Sequence, residues 1–240
     1  MADAVTNSPA NPRSAVFFDV DGTLVRSTIV HYYIFFRRTL MSPLRGWLWQ
    51  KLYLVRCLYY LLLDRIDRSR LNVVFYRDYG GLPVARLRDL AETCYERVMY
   101  PRRFVEAAPC IEGHRRAGRR IVLLTGSLDF IVEPLARHVG ADHVVAAKLI
   151  ERNGSFTGQL DGLPIGDHEK ARRLRLFAQQ EGIDLAVSHA YADSTSDLPM
   201  LEQVGYPHAV NPDRGLSAVA FQRNWPVHQW SVANDVGSNA

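Results

Sequence analysis

The chain has 240 residues, of which 48% are hydrophobic and 22% are charged. These values are ordinary for a globular protein, and they exclude a disordered chain, a collagen-like repeat and a disulfide scaffold. The three cysteines are widely spaced and odd in number, so we expect neither a disulfide framework nor a zinc site. The first 14 residues have no apolar run of the kind found in signal peptides, and we expect a cytoplasmic protein.

The formal net charge of +4 is unevenly distributed. Residues 26–110 hold 15 Lys plus Arg and seven Asp plus Glu, which gives +8, and the rest of the chain carries −4. This asymmetry indicates two parts with different surroundings, although a general excess of arginine would also produce it. Only three of the cations are lysines, at positions 51, 148 and 170.

In chain order, five short apolar runs are typical of buried strands, and the segments between most of them have helical periodicity. The predicted strands are 15–20, 121–124, 143–146, 186–192 and 207–210, and the helices between and after them are roughly 109–118, 128–138, 168–181, 195–203 and 213–222. Alternation of this kind predicts an α/β fold with a doubly wound, Rossmann-like parallel sheet. In such sheets, ligands bind at the carboxyl ends of the strands.

Residues 28–100 interrupt the alternation because they contain no run typical of a buried strand. We predict an all-helical cap domain over 28–100, inserted after the first strand of a core domain that comprises 15–27 and 101–230. Residues 1–14 and 231–240 are predicted to be disordered tails. The run 148–160 alternates around Asn153-Gly154, which favours a β-hairpin.

The segment Trp47–Leu63 is strongly apolar but contains Lys51 and Arg56. At 17 residues it falls just short of a membrane span, and two central cations would be costly there. Two interpretations remain open: a buried helix of the cap, or a helix that lies in a membrane interface with the neighbouring arginines near anionic head groups.

Two carboxylates, Asp19 and Asp21, stand two positions apart where the first predicted strand ends, and Gly-Thr follows them. One such carboxylate can attack a phosphorus centre while the other handles protons. With a distant acidic residue, they can also hold Mg²⁺, which prefers oxygen ligands.

Three further groups follow other predicted strands or begin a helix. Asp193 and Asp197 lie four apart after the fourth strand, where Asp193 can complete the metal site and Asp197 can support it, although a helix-capping role for Asp193 is the alternative. Thr125 and Gly126 precede a helix, and such a position binds phosphate oxygens. Lys170 begins a helix and can neutralise phosphoryl charge, or it can be an ordinary surface lysine.

These four features, in this order, resemble the haloacid dehalogenase (HAD) superfamily, and within it the phosphoserine-phosphatase-like subfamily IB. The matching segments are FFDVDGTLV, LLTGS, the region of Lys170 and YADSTSDLPML, and the resemblance covers about residues 15–226. The helical insert also matches the cap of these proteins.

The resemblance implies a phosphatase that works through an aspartyl-phosphate. Asp19 would be the nucleophile and Asp21 the general acid and base. Mg²⁺ would be held by the carboxylates of Asp19 and Asp193 and by the backbone carbonyl of Asp21, while Asp197 would support this site. Thr125, Gly126 and Lys170 would bind the phosphoryl group.

The substrate is predicted from position 28 and from the composition of the cap. Phosphoserine phosphatases usually carry a Glu nine residues after the nucleophile, where this chain has Thr28. The cap is rich in aromatic residues and arginine, and similar phosphatase domains occur joined to glycerol-phosphate acyltransferases. We therefore expect a small or lysophospholipid-like phosphorylated substrate, peripheral membrane contact through the cap, and no nucleic-acid partner. A phosphotransferase, or a non-catalytic membrane-associated module, remains an alternative.

Overall fold

A computed structural model describes residues 13–66 and 68–232, with the side chains of 61–70 outside that description. The centre of the protein is a six-stranded parallel sheet. Its strands, numbered along the chain and bounded below, lie in the order β3-β2-β1-β6-β7-β8. The strands are β1 (Ala15–Phe18), β2 (Arg120–Leu128), β3 (His143–Ala147), β6 (His189–Ala192), β7 (Tyr206–Val210) and β8 (Val227–His228). The predicted α/β class with a parallel sheet is confirmed.

The sheet is buried on both faces, as parallel sheets are, and β1 consists only of buried residues. Its side chains alternate between two apolar clusters. Val16 and Phe18 face one cluster, which continues into the cap, while Ala15 and Phe17 face the other. The flanking helices are α6 (Ala107–Arg116), α7 (Asp129–Val139), α8 (Asp167–Glu181), α9 (Leu198–Leu201) and α10 (Arg214–Gln222).

The segment between β1 and α6 is helical, in agreement with the predicted insert. It contains α1 (Ile29–Thr39), α2 (Pro43–Ile66), α3 (Arg68–Tyr76), α4 (Val84–Asp89) and α5 (Ala91–Cys94), followed by short π and 3-10 turns. We refer to this set as the cap. Within the described part of the chain, none of the helices combines the length and the apolarity needed to cross a bilayer.

Aromatic rings fill the interior of the cap. The ring of Tyr33 lies 5.0 Å from that of Tyr79 and 5.3 Å from that of Tyr53, and Trp49 stacks on Tyr53 at 4.6 Å. Asp78 accepts hydrogen bonds from the hydroxyls of Tyr53 and Tyr60 and pairs with Arg56 at 2.7 Å. These aromatics therefore form a packed core with internal polar partners.

A β-hairpin, β4 (Leu149–Arg152) and β5 (Ser155–Leu160), follows β3 and turns at Asn153-Gly154 as predicted. It also joins the cap, because the amide of Gly81 donates to the carbonyl of Phe156 and the amide of Phe156 donates to the carbonyl of Leu82. The hairpin thus extends from the sheet to the cap.

Several predicted boundaries shift. The strand predicted over 186–192 begins only at His189, because residues 185–187 form a 3-10 turn whose amide at Ala186 is capped by the side chain of Asp184. The strand predicted to end near Thr125 continues to Leu128 after a register irregularity against β3. The strand β8 was not predicted. Of the predicted tails, residues 1–12 and 233–240 lie outside the described residues.

Candidate active site

The carboxyl ends of β1, β2 and β6 meet at the middle of the sheet, beneath the cap. The chain runs from β1 outward to β2 and β3 and then returns to β6 on the other side of β1, so the loops after these strands enclose a crevice. This is where Asp19, Thr125 and Asp193 lie. The predicted site residues, separated by up to 178 positions in sequence, are therefore brought together.

The loop after β1 is a tight turn that fixes Asp19. The amide of Asp19 donates a hydrogen bond to the carbonyl of Tyr191 in β6 at 3.0 Å, and the amides of Leu24 and Val25 both donate to the carbonyl of Val20. Gly22 has φ +95°, and a Cβ there would lie 2.1 Å from Oδ2 of Asp193. Glycine is needed at this position both for the backbone conformation and for the close approach of Asp193.

Lys170 reaches this turn from the first turn of α8. Its Nζ donates to Oδ1 of Asp19 and to Oδ1 of Asp197, each at 2.6 Å, and the lysine is 3% exposed. Burial alone would lower the pKa of Lys170, but the two carboxylates overcome that effect and raise it. The lysine is a buried, charged partner of the two carboxylates. The alternative interpretation from the sequence, an ordinary surface lysine, is wrong.

Three carboxylates, Asp19, Asp193 and Asp197, form one cluster in which one oxygen from each lies within 4.8 Å of the others. Thr23 links two of them, because its hydroxyl lies 3.0 Å from Oδ1 of Asp193 and 3.3 Å from Oδ2 of Asp19. The capping alternative for Asp193 is not needed, since the side chain of Ser194 accepts from the amide of Ser196 at the following turn. This set of hard oxygens fits a divalent cation such as Mg²⁺.

Asp21 is held by two hydroxyl donors that sequence reasoning did not assign to it. Tyr32 of α1 donates to Oδ1 at 2.6 Å, and Ser127 donates to Oδ2 at 2.5 Å. Burial, and then the charge of Asp21, raise the pKa of Tyr32, so its hydroxyl stays protonated and can donate. A cap residue therefore orients a carboxylate of the core.

Thr125 is 1% exposed and lies next to Gly126 and Ser127 in β2. Its Oγ1 accepts from the amide of Ser127 at 3.0 Å, which leaves the hydroxyl proton available for a ligand oxygen. At Gly126 a Cβ would come within 2.6 Å of the carbonyl of Ile165, so the segment before α8 packs directly on this backbone. The carbonyl of Gly126 accepts from Tyr76 of the cap at 2.6 Å.

A cavity of about 340 Å³ opens between the cap and these residues. Its floor contains Asp19, Asp21 and Lys170, and its walls include the apolar side chains Ile29, Val30, Leu71 and Ile165, together with Cys57 and Tyr60 from α2. Thr28 and His31 also line it, and their side chains are paired at 3.0 Å. Among the described residues, the cavity lining holds no carboxylate beyond Asp19, Asp21 and Asp197.

Comparison with known proteins identifies the family. Residues 16–202 match the model of the haloacid dehalogenase-like hydrolases. The chain belongs to this family. It is 36% identical, over 224 residues, to a probable phosphatase of Mycobacterium tuberculosis, in an alignment that spans 91% of this chain and 76% of that protein.

Solved structures agree with the fold. A protein of unknown function from Bordetella pertussis superposes with a TM-score of 0.78 at 26% identity, covering 90% of this chain and 98% of the other. A substrate-bound phosphoserine phosphatase superposes with a TM-score of 0.67 at 17% identity, covering 94% and 98%. The predicted family, fold and enzyme class, a hydrolase of the phosphatase type, are confirmed.

Proposed function

We propose that the protein is a Mg²⁺-dependent phosphomonoester hydrolase that works through an aspartyl-phosphate on Asp19. One observation carries the proposal. The carboxylate of Asp19 lies at the floor of the cavity, with Lys170 on one oxygen, Thr23 near the other, and two further carboxylates beside it. Lys170, and a cation held by the carboxylates, would supply the neutralisation of charge that phosphoryl transfer requires.

The metal would be held by the carboxylates of Asp19 and Asp193 and by the backbone carbonyl of Asp21. Asp197 shares the cluster, but its Oδ1 accepts from Lys170, which suits a supporting role. The approach of Asp193 to the turn, which only a glycine at position 22 permits, supports this assignment. When bound, the cation would neutralise negative charge on the phosphoryl oxygens.

In the first step, an oxygen of Asp19 forms a bond to phosphorus while the ester P–O bond breaks, and Asp21 gives its proton to the leaving oxygen. In the second step, water attacks the same phosphorus, the bond to Asp19 breaks, and Asp21 takes the proton of the water. Tyr32 and Ser127 keep the Asp21 carboxyl group oriented for both transfers. We assign to the hydroxyl of Thr125 and the ammonium of Lys170 the role of donating hydrogen bonds to phosphoryl oxygens.

We further propose that the organic part of the substrate is apolar or uncharged. A substrate ammonium group needs a carboxylate partner in a cavity of this kind, and the Thr28 side chain is instead paired with His31. The walls contributed by α1, α2 and α3 combine the aliphatic side chains of Ile29, Val30 and Leu71 with His31, Cys57, Tyr60 and Asn72, and none of these is a carboxylate. A phosphate monoester of a lipid-like alcohol fits these walls better than phosphoserine does.

The cysteines support a reducing, cytoplasmic location for this activity. All three, Cys57, Cys94 and Cys110, are free thiols, which is typical of proteins in reducing compartments.

The test is phosphate release from a panel of lysophosphatidate, phosphatidylglycerol phosphate, phosphoserine and histidinol phosphate. We expect activity in Mg²⁺ that is lost in EDTA and lost in Asp19→Asn, with lysophosphatidate preferred over phosphoserine. Asp161→Asn, which changes an exposed aspartate in the loop after β5, is the matched control and should retain activity.

Equal phosphate release by wild type and Asp19→Asn would overturn the mechanism. A preference for phosphoserine would overturn the substrate proposal alone. An added alcohol that gains phosphate faster than water does would indicate a phosphotransferase.

A further inference from the structure

The outward side of α2 is an exposed apolar surface. Eight large hydrophobic side chains on it are between 48% and 77% exposed. We call them the outer face of α2: Leu44, Trp47, Leu48, Leu52, Leu54, Val55, Leu58 and Tyr59. The helix rises 1.5 Å per residue, so this face is about 22 Å long.

The opposite side of the same helix is the one that packs into the protein. Gly46, Tyr53 and Tyr60 are buried, and Trp49 and Cys57 are partly buried. These positions recur every three or four residues and form a single stripe. The fold therefore uses one side of α2 and leaves the other without a partner among the described residues. Contiguous exposed apolar surface of this size marks a site of interaction.

Positive charge predominates around the outer face. Residues 26–63 contain six Lys plus Arg and no Asp or Glu, although Arg56 pairs with Asp78 and Asp64 follows near the end of α2. Arg45 and Lys51 are exposed on α2, and the ammonium of Lys51 lies 5.6 Å from the ring centre of Trp47. A long cationic side chain within an apolar face can extend its charged end to a polar boundary.

A second basic region is a groove of about 590 Å³ that borders α2 at Gly46 and Gln50, away from the outer face. It lies between α1, the start of α2 and the turns after α5, and it is lined by Arg38, Arg97 and Arg102. Its lining includes no acidic residue among the described part of the chain. The cations next to the outer face itself are Arg45 and Lys51, and cations beside an apolar helix face attract negatively charged lipid head groups.

We propose that the outer face of α2 lies in the interfacial region of an anionic lipid membrane, with the helix axis parallel to the surface. The helix does not meet the requirements for a span, whereas an apolar face flanked by basic residues is typical of interfacial helices. A second copy of the chain is a poorer partner, because a two-fold interface would bring the same basic residues against each other.

The cavity is close to this surface. Cys57 and Tyr60 line it from the inner side of α2, so only the thickness of one helix, about 10 Å, separates the cavity from the outer face. Docking of α2 would thus place the cavity beside the lipid phase, which is where a lipid-like phosphomonoester would be found. This last step rests on the proposed function, whereas the docking itself does not.

The test is flotation of the full chain with vesicles of phosphatidylcholine alone and with vesicles of equal parts phosphatidylcholine and phosphatidylglycerol. We expect flotation with the anionic vesicles, loss of it at high salt, and a fall in bound fraction of at least about tenfold for Leu48→Glu/Val55→Glu. The matched control is Phe221→Glu, which adds an acid at a phenylalanine that is 85% exposed on α10 of the core. It should float like the wild type.

Two further measurements separate this proposal from the phosphatase proposal. Asp19→Asn should float normally, and Leu48→Glu/Val55→Glu should keep its activity on the soluble ester p-nitrophenyl phosphate. Absence of the wild-type chain from the anionic lipid fraction would overturn the proposal. So would equal flotation by the α2 variant, or a stable dimer in solution that the α2 variant dissociates.

Discussion

Replacement of Lys170 by methionine tests how the charges at the centre of the site are balanced. Lys170 is 3% exposed and donates at 2.6 Å to both Asp19 and Asp197, which are themselves 5% and 4% exposed. Methionine keeps most of the volume but leaves two buried carboxylates without their cation. Removing one partner of a buried ion pair costs about 3–5 kcal/mol, because the remaining charge is desolvated and uncompensated. For a chain of this length, that loss corresponds to a fall in Tm of roughly 10 °C.

The assay is urea unfolding in EDTA, so that no cation replaces the lysine. Lys148→Met, at an exposed lysine of the same chain, is the control and should change the free energy of unfolding by less than about 0.5 kcal/mol. Adding Asp197→Asn to Lys170→Met should recover part of the loss, because one of the two carboxylates that lost the lysine is then neutral. If Lys170→Met unfolds at the same urea concentration as Lys148→Met, the carboxylates do not depend on the lysine and our account of the site is wrong. Phosphatase activity should fall about a hundredfold or more in the same variant.

Two other predictions concern the Asp21 carboxylate and two histidines of the sheet, His189 in β6 and His208 in β7. Tyr32→Phe removes a hydrogen-bond donor to Asp21 and should lower kcat about tenfold with little change in KM. The control is Tyr79→Phe, which should leave kcat unchanged, because the buried Tyr79 hydroxyl has no hydrogen-bond partner among the described residues. Equal kcat values for the two variants would contradict the positioning role. Burial lowers the pKa of His189 and of His208 from 6.5 to about 3. Below about pH 6.5 the unfolded chain therefore binds more protons than the folded chain does. The free energy of unfolding should fall as the pH decreases from there. His208→Phe should make that decline shallower in urea titrations at several pH values, and an unchanged slope would refute the assignment.

The sequence was sufficient to predict five of the six strands of the sheet and the loops that carry the carboxylates. Asp19 and Asp193 each follow a short apolar run, and such runs become adjacent parallel strands. The position of Lys170 could be predicted from its order in the chain, but its burial could not, because a lone lysine at a helix start usually faces solvent. Its two carboxylate partners come from loops more than 25 residues away on either side.

Contacts between the cap and the core could not be predicted in this way. Tyr32 meets Asp21 only because α1 packs over the end of β1, and nothing in the local pattern distinguishes Tyr32 from the neighbouring aromatics. The outer face of α2 was hidden for a similar reason. The run has leucine, tyrosine or valine on several sides of the helix, and its two cations, Lys51 and Arg56, do not mark one side, so only the packing of Tyr53 and Tyr60 shows which side is covered.

The division into cap and sheet also separates the four tryptophans. Trp47 and Trp49 belong to α2, whereas Trp225 and Trp230 lie beside β8 at the edge of the sheet. Trp49 is stacked within the aromatic interior of the cap, and Trp47 is 54% exposed on its surface. Intrinsic fluorescence therefore has separate sources in the two parts of the molecule, and variants that retain a single tryptophan would report cap unfolding, sheet unfolding and the polarity around α2 independently.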